Sequence, residues 1–144
     1  MALLDDTRKA SVRAALDRDQ VAAAYLFGSQ ARGNPGPLSD VDVAVWASPG
    51  MNARQRFELR LRLASAVEQA LDGQTVDLVV LDDASPLLRH RAWRDGELLL
   101  DRDPRTRVRD EARTLVEYLD TKPLREQMAA GVSKRIAEGR FGRR

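Results

Sequence analysis

The sequence predicts an α+β domain, with a small mixed β-sheet of about four strands covered by helices on one face. Two observations carry this. Short apolar runs alternate along the chain with longer segments of helical periodicity. The turn after the first run, Gly28-Ser29, lacks both G-x-G-x-x-G and a P-loop lysine, which removes the doubly wound nucleotide-binding fold. A third observation leaves one sheet face free: in the second run, DVDVAVW, Asp40 and Asp42 fall on the face opposite Val41, Val43 and Val45.

Taken in order, residues 4 to 18 read as a helix with Leu4, Ala15 and Leu16 among its apolar positions. Residues 21 to 27, VAAAYLF, read as a short buried strand. Asn34, Pro35, Gly36 and Pro37 then break regular structure and form a loop. On the next strand Asp40, Asp42 and Ala44 share one face, and Val41, Val43 and Val45 share the other. A helix from about 51 to 71 shows an apolar stripe at Phe57, Leu61, Ala64, Val67 and Leu71, expected to pack on the sheet. Gly73 stops it, and a strand follows over 75 to 81. Ser85-Pro86 starts a helix that Gly96 ends, and Leu98 to Leu100 form a last strand. Asp103-Pro104 begins another helix with Val108, Ala112, Leu115 and Leu119 on one face. A further helical stretch is expected from about Pro123 to Ala137. We read residues 1–101 as the core and 102–144 as a helical extension of the same domain.

Composition supports one globular unit. The chain has 144 residues, of which 43% are hydrophobic, enough to bury a real core. It has no cysteine and a single histidine, His90, so disulfides and thiolate zinc sites are excluded and a histidine metal site is disfavoured. The N-terminal stretch MALLDDTRKA carries acids where a signal peptide needs a basic region, and no stretch approaches the roughly 20 apolar residues of a membrane span. A cytoplasmic location is expected. Charge is uneven: residues 1–101 hold 12 basic and 15 acidic side chains, and residues 102–144 hold 12 and 7. The basic run KRIAEGRFGRR reads first as a solvated terminus, and direct nucleic-acid binding is not expected.

The chemistry lies between residues 28 and 42. Asp40 and Asp42 point the same way from one strand, and ionised carboxylates so close repel unless a cation sits between them. Mg²⁺ suits such a site, because it takes a few carboxylates and completes its shell with phosphate oxygens. Gly28, without a Cβ, and the Ser29 hydroxyl would let the turn approach a triphosphate closely.

The run FGSQARGNPGPLSDVDVAVW, with its glycine-serine turn and D-x-D pair, resembles the nucleotidyltransferase superfamily of DNA polymerase β. Its GSxARG form, with short spacing to SDxD, is most similar to the minimal nucleotidyltransferases, the MNT antitoxins of HEPN/MNT pairs. That resemblance implies a third carboxylate on a later strand. Asp77, opening the apolar run of GQTVDLVVL after Gly73, is the candidate; Asp82 and Asp83 read as solvated turn residues. It further implies Mg²⁺, or Mn²⁺, held as two ions by Asp40, Asp42 and Asp77, and ATP bound at Gly28 and Ser29, with Arg32 neutralising phosphate charge. The acceptor implied is a tyrosine hydroxyl of a HEPN ribonuclease toxin, which receives AMP as pyrophosphate leaves. The chain is not itself that toxin, because no arginine stands at the R-x4-6-H positions before His90. Two other readings remain: a small-molecule nucleotidyltransferase of the aminoglycoside type, for which about 40 residues after the core are few, and a binding antitoxin without catalysis.

Overall fold

Seven consecutive buried residues, Val21–Phe27, form β1, the strand about which the sheet is built. The computed structural model describes residues 4–27 and 41–137, with side chains as far as residue 131. β1 pairs antiparallel with β2 (Val41–Ala47) and with β4 (Glu97–Asp101), and β2 pairs parallel with β3 (Val76–Val80). The order is β3-β2-β1-β4, a mixed sheet of four strands as expected.

One face is aliphatic. Val41, Val43 and Val45 of β2 meet Leu59, Leu63, Val67 and Leu71 of helix α2 (Ala53–Ala70 and its cap) and Val12 and Leu16 of α1 (Asp6–Leu16). Each helix is pinned at its start: Asp5 accepts from the Arg8 amide at 2.8 Å, and Asn52 and Gln55 form a reciprocal capping box. Burying a leucine or valine fully stabilises by about 1.5–3 kcal/mol, so this face supplies most of the hydrophobic stabilisation.

The buried stripe of α2 differs from the expected one. Phe57 and Leu61 are 55% and 52% exposed, whereas Leu59 and Leu63 are fully buried. Residues 57 and 59 stand about 200° apart on a helix, so α2 carries two apolar stripes in its N-terminal half that converge at Val67 and Leu71. Periodicity cannot choose between them. Docking on the sheet does.

The second face holds Ala22, Ala23, Tyr25, Phe27, Ala44 and Trp46, packed with Leu81 and with Ala92 of helix α3 (Pro86–Asp95). Ser85 caps α3 by accepting from the Leu88 amide, and Gly96 closes it. Glycine is required there by proximity: a Cβ would meet the Ala92 carbonyl oxygen directly, with the Leu26 carbonyl and Tyr25 Cβ both at 3.3 Å. Where the sequence suggested two C-terminal helices, one 34-residue helix, α4 (Pro104–Ala137), runs through Pro123. Proline lacks the N–H that would serve the Leu119 carbonyl. The turn is tied by the Thr121 hydroxyl, which donates to the Glu117 carbonyl at 3.1 Å, and by Arg125, which donates to the Tyr118 carbonyl at 3.0 Å. Helices α3 and α4 are joined by His90, stacked on Tyr118 at 3.7 Å between ring centroids. No helix among the described residues is long and apolar enough to cross a membrane.

Candidate active site

In the parallel β2–β3 ladder, Asp42 stands directly opposite Asp77. Neighbouring strands lie about 4.8 Å apart, and side chains at paired positions leave the same face. Asp42 is therefore on the face of Ala44 and Trp46, and Asp77 on that of Val79. Strand phase alone brings two carboxylates together from residues 35 positions apart.

They open into a cavity of about 530 Å³ lined, among the described residues, by Phe27, Asp42, Asp77 and Val79 from the sheet and by Leu88, Arg91, Arg94 and Asp95 from α3. The second face is thus free only beside the carboxylates, and toward Trp46 it is covered by α3 and α4. The opposite wall of the cavity is cationic. Arg94 pairs with Asp95 at 2.9 and 3.0 Å, whereas Arg91 is exposed with no partner among the described residues. A carboxylate floor beneath an arginine wall suits a polyanion that arrives with a cation.

Asp82 and Asp83 have other duties than solvated turn residues would. In the 3₁₀ turn Leu81–Asp83, the half-buried Asp82 carboxylate accepts from the Ala47 amide at 2.9 Å, and burial raises its pKa above the usual carboxylate value. It closes the end of β2. Asp83 takes Arg56 of α2 through contacts of 2.9 to 3.2 Å. Neither lines the cavity.

The donor chemistry fits Mg²⁺. Both groups are hard oxygen ligands on one face, and the chain has no cysteine to offer a thiolate. No cluster of three acidic or histidine ligands is present among the described residues. Asp40, expected with Asp42 and Asp77 as a metal ligand, lies outside them, as do Gly28, Ser29 and Arg32. Arg91 and Arg94 were not anticipated from sequence. The available signal was the three-residue spacing of Leu88, Arg91 and Arg94 on a short helix, which places them on one side.

The family Polymerase beta, Nucleotidyltransferase matches residues 11–105, a stretch that contains both carboxylates and the strands that pair them. The chain belongs to this nucleotidyltransferase family. Among curated relatives, the protein adenylyltransferase MntA of Shewanella oneidensis is 39% identical over 75 residues, or 52% of this chain and half the length of that protein. Among solved structures, a chain of a toxin–antitoxin crystallised with AMP-PNP superposes with a TM-score of 0.70 at 27% identity, covering 87% of this chain and 98% of that one. A chain from a complex of tri-AMPylated Shewanella oneidensis HEPN toxin with MNT antitoxin superposes with a TM-score of 0.65 at 25% identity, covering 88% and 96%. The superposition covers a larger share of the chain than the matched family segment does.

Proposed function

We propose that the chain is an antitoxin adenylyltransferase that transfers AMP from ATP to a tyrosine hydroxyl of a cognate HEPN ribonuclease toxin, in a Mg²⁺-dependent reaction. The observation that carries this reading is the registered pair Asp42 and Asp77 at the floor of a cavity with an arginine wall. The likeness to an adenylyltransferase and to chains of toxin–antitoxin complexes supports the nucleotide and the acceptor class.

Asp42 and Asp77, with Asp40, would hold the metal. Bound there, Mg²⁺ neutralises phosphate charge and lowers the pKa of an attacking hydroxyl. Gly28 and Ser29 would bind the triphosphate, Arg32 would neutralise its charge, and Arg91 and Arg94 would offset the negative charge that gathers as pyrophosphate separates. The acceptor oxygen bonds to the α-phosphorus, the bond to the bridging oxygen breaks, and the hydroxyl proton passes to solvent. Residues 1–101 supply this chemistry, and the helical extension from 102 serves the partner. A cytoplasmic location goes with such a partner.

The test is incubation with labelled ATP, Mg²⁺ and the toxin encoded beside this chain. Label is expected on the toxin, lost with a chelator and lost in Asp77→Asn. Undiminished labelling by Asp77→Asn would overturn the assignment of the site.

A further inference from the structure

Helix α4 is turned inside out. The residues it buries between 104 and 119 are polar, namely Thr106, Asp110, Glu111 and Thr114. Its buried side is wired to the sheet: the Tyr25 hydroxyl donates to Glu111 at 3.1 Å, Glu111 pairs with Arg107 at 2.7 Å, and Arg107 lies 3.0 Å from Asp101 of β4. The outward side is apolar. Val108, Leu115, Val116 and Leu119 are 38 to 58% exposed. A helix docked by its hydrophobic stripe would show the reverse.

The charges on that outward side are of one sign. Every exposed charged residue between 104 and 119 is an arginine: Arg105, Arg109 and Arg113. The acids of the segment are buried or half-buried, and Asp110, within 3.0 Å of Arg113 and 3.6 Å of Arg109, is one carboxylate between two guanidiniums. The rim is therefore basic.

We infer that the outer face of α4 between Val108 and Leu119 is a docking surface for a helix of the partner protein that carries an apolar stripe rimmed by carboxylates. The stripe is about 17 Å long, three turns, which is the length over which one helix lies along another. Arginine beside exposed leucine and valine matches the composition of interface centres, where arginine is enriched and lysine depleted. Charge argues against a second copy of this chain. Antiparallel pairing about the middle of the stripe would set Arg113 beside the same residue of its partner and Arg105 near Lys122, with Asp120 as the single exposed acid between 104 and 122, so like charges would predominantly meet. That the partner is the toxin rests on the function proposed above.

The experiment measures affinity of the purified chain for that toxin, without nucleotide, for the wild type, Leu115→Glu with Leu119→Glu, and Arg105→Glu with Arg109→Glu. The leucine pair is expected to weaken binding at least about 100-fold. The arginine pair is expected to slow association about tenfold at low salt, with the difference shrinking as salt rises. Both should keep the wild-type ATP affinity, and the leucine pair the wild-type melting temperature; the arginine pair should melt slightly lower, because Arg109 lies 3.6 Å from the buried Asp110. Unchanged toxin affinity in both variants would overturn the surface. So would wild-type self-association abolished by the leucine pair, or binding to phosphatidylserine vesicles or to RNA abolished by the arginine pair while the toxin still binds. Tight binding through this face with no AMP transferred would instead sink the proposed activity and leave the surface standing.

Discussion

The two faces of the sheet are built on opposite principles. The face under α1 and α2 is dry and aliphatic, with Leu59, Leu63 and Val67 against Val41, Val43 and Val45. The face under α3 and α4 joins aromatic rings to buried charges, with Tyr25, Trp46, Glu111 and Arg107 together, and stops short of Asp42 and Asp77. A small domain needs one face that excludes water for stability. The other face holds ionised groups within reach of solvent and substrate. The difference shows a division of labour: α2 stabilises the sheet, whereas α3 walls the cavity.

Losses on the two faces should therefore separate activity from stability. The largest expected effect is on transfer. Asp40→Ala with Asp42→Ala should abolish labelling of the acceptor, and Asp77→Asn should lower its rate by roughly 10² to 10³ with little change in ATP affinity. Relieved of mutual repulsion, these variants should melt at or slightly above the wild-type temperature. A large drop in melting temperature would show that the carboxylates support the fold, and the division would fail.

The converse is Leu63→Ala on the dry face. It should cost about 2–5 kcal/mol in denaturant unfolding and leave the transfer rate per folded molecule unchanged. Leu61→Ala, two residues away but 52% exposed, should stay within about 0.5 kcal/mol. Equal losses for the two leucines would mean that α2 docks by both stripes.

A smaller effect is expected from the buried polar network. Glu111→Ala strands the Tyr25 hydroxyl and leaves Arg107 with Asp101 as its remaining partner, and leaving such a buried group unpaired costs about 1–3 kcal/mol. Glu111→Gln keeps one acceptor and should recover part of the loss. Burial and the Glu111 carboxylate both push the Tyr25 pKa upward, so the hydroxyl remains a donor throughout the accessible range.

The smallest effect is that of pH on the α3–α4 contact. Burial, with Arg94 and Arg125 nearby, lowers the His90 pKa below its ordinary 6.5. The unfolded chain then takes up the proton first, so the contribution of His90 is full above that value and declines as pH falls below it. Between pH 7.5 and 5.5 the wild type should lose more melting temperature than His90→Gln, by less than about 4 °C. An equal loss would show that the stack on Tyr118 does not sense protonation.

Much of the architecture was legible because it is local. Period-two alternation put Asp42 on a face opposite Val41 and Val43, and Ser85-Pro86 and Gly96 marked the ends of α3 through backbone geometry that needs no distant partner. Pro123 misled for the same reason. It signals a boundary locally, yet side chains of the adjoining turns hold α4 together across it. Gly28, Ser29, Arg32 and Asp40 lie outside the described residues, so four of the six expected site residues stand on sequence.

By itself, then, the chain determined its strands and the phase of each, because steric alternation and capping act within a few residues. Its D-x-D pair and the later Asp77 were equally visible for that reason. Tertiary structure decided what periodicity leaves degenerate. Only docking selected Leu59 and Leu63 over Phe57 and Leu61, brought Arg91 across from Asp77, and buried Glu111 while turning Leu115 outward. A helix with apolar residues on two sides, or with charges that find partners 86 residues away as Glu111 finds Tyr25, has its inner face chosen by its neighbours.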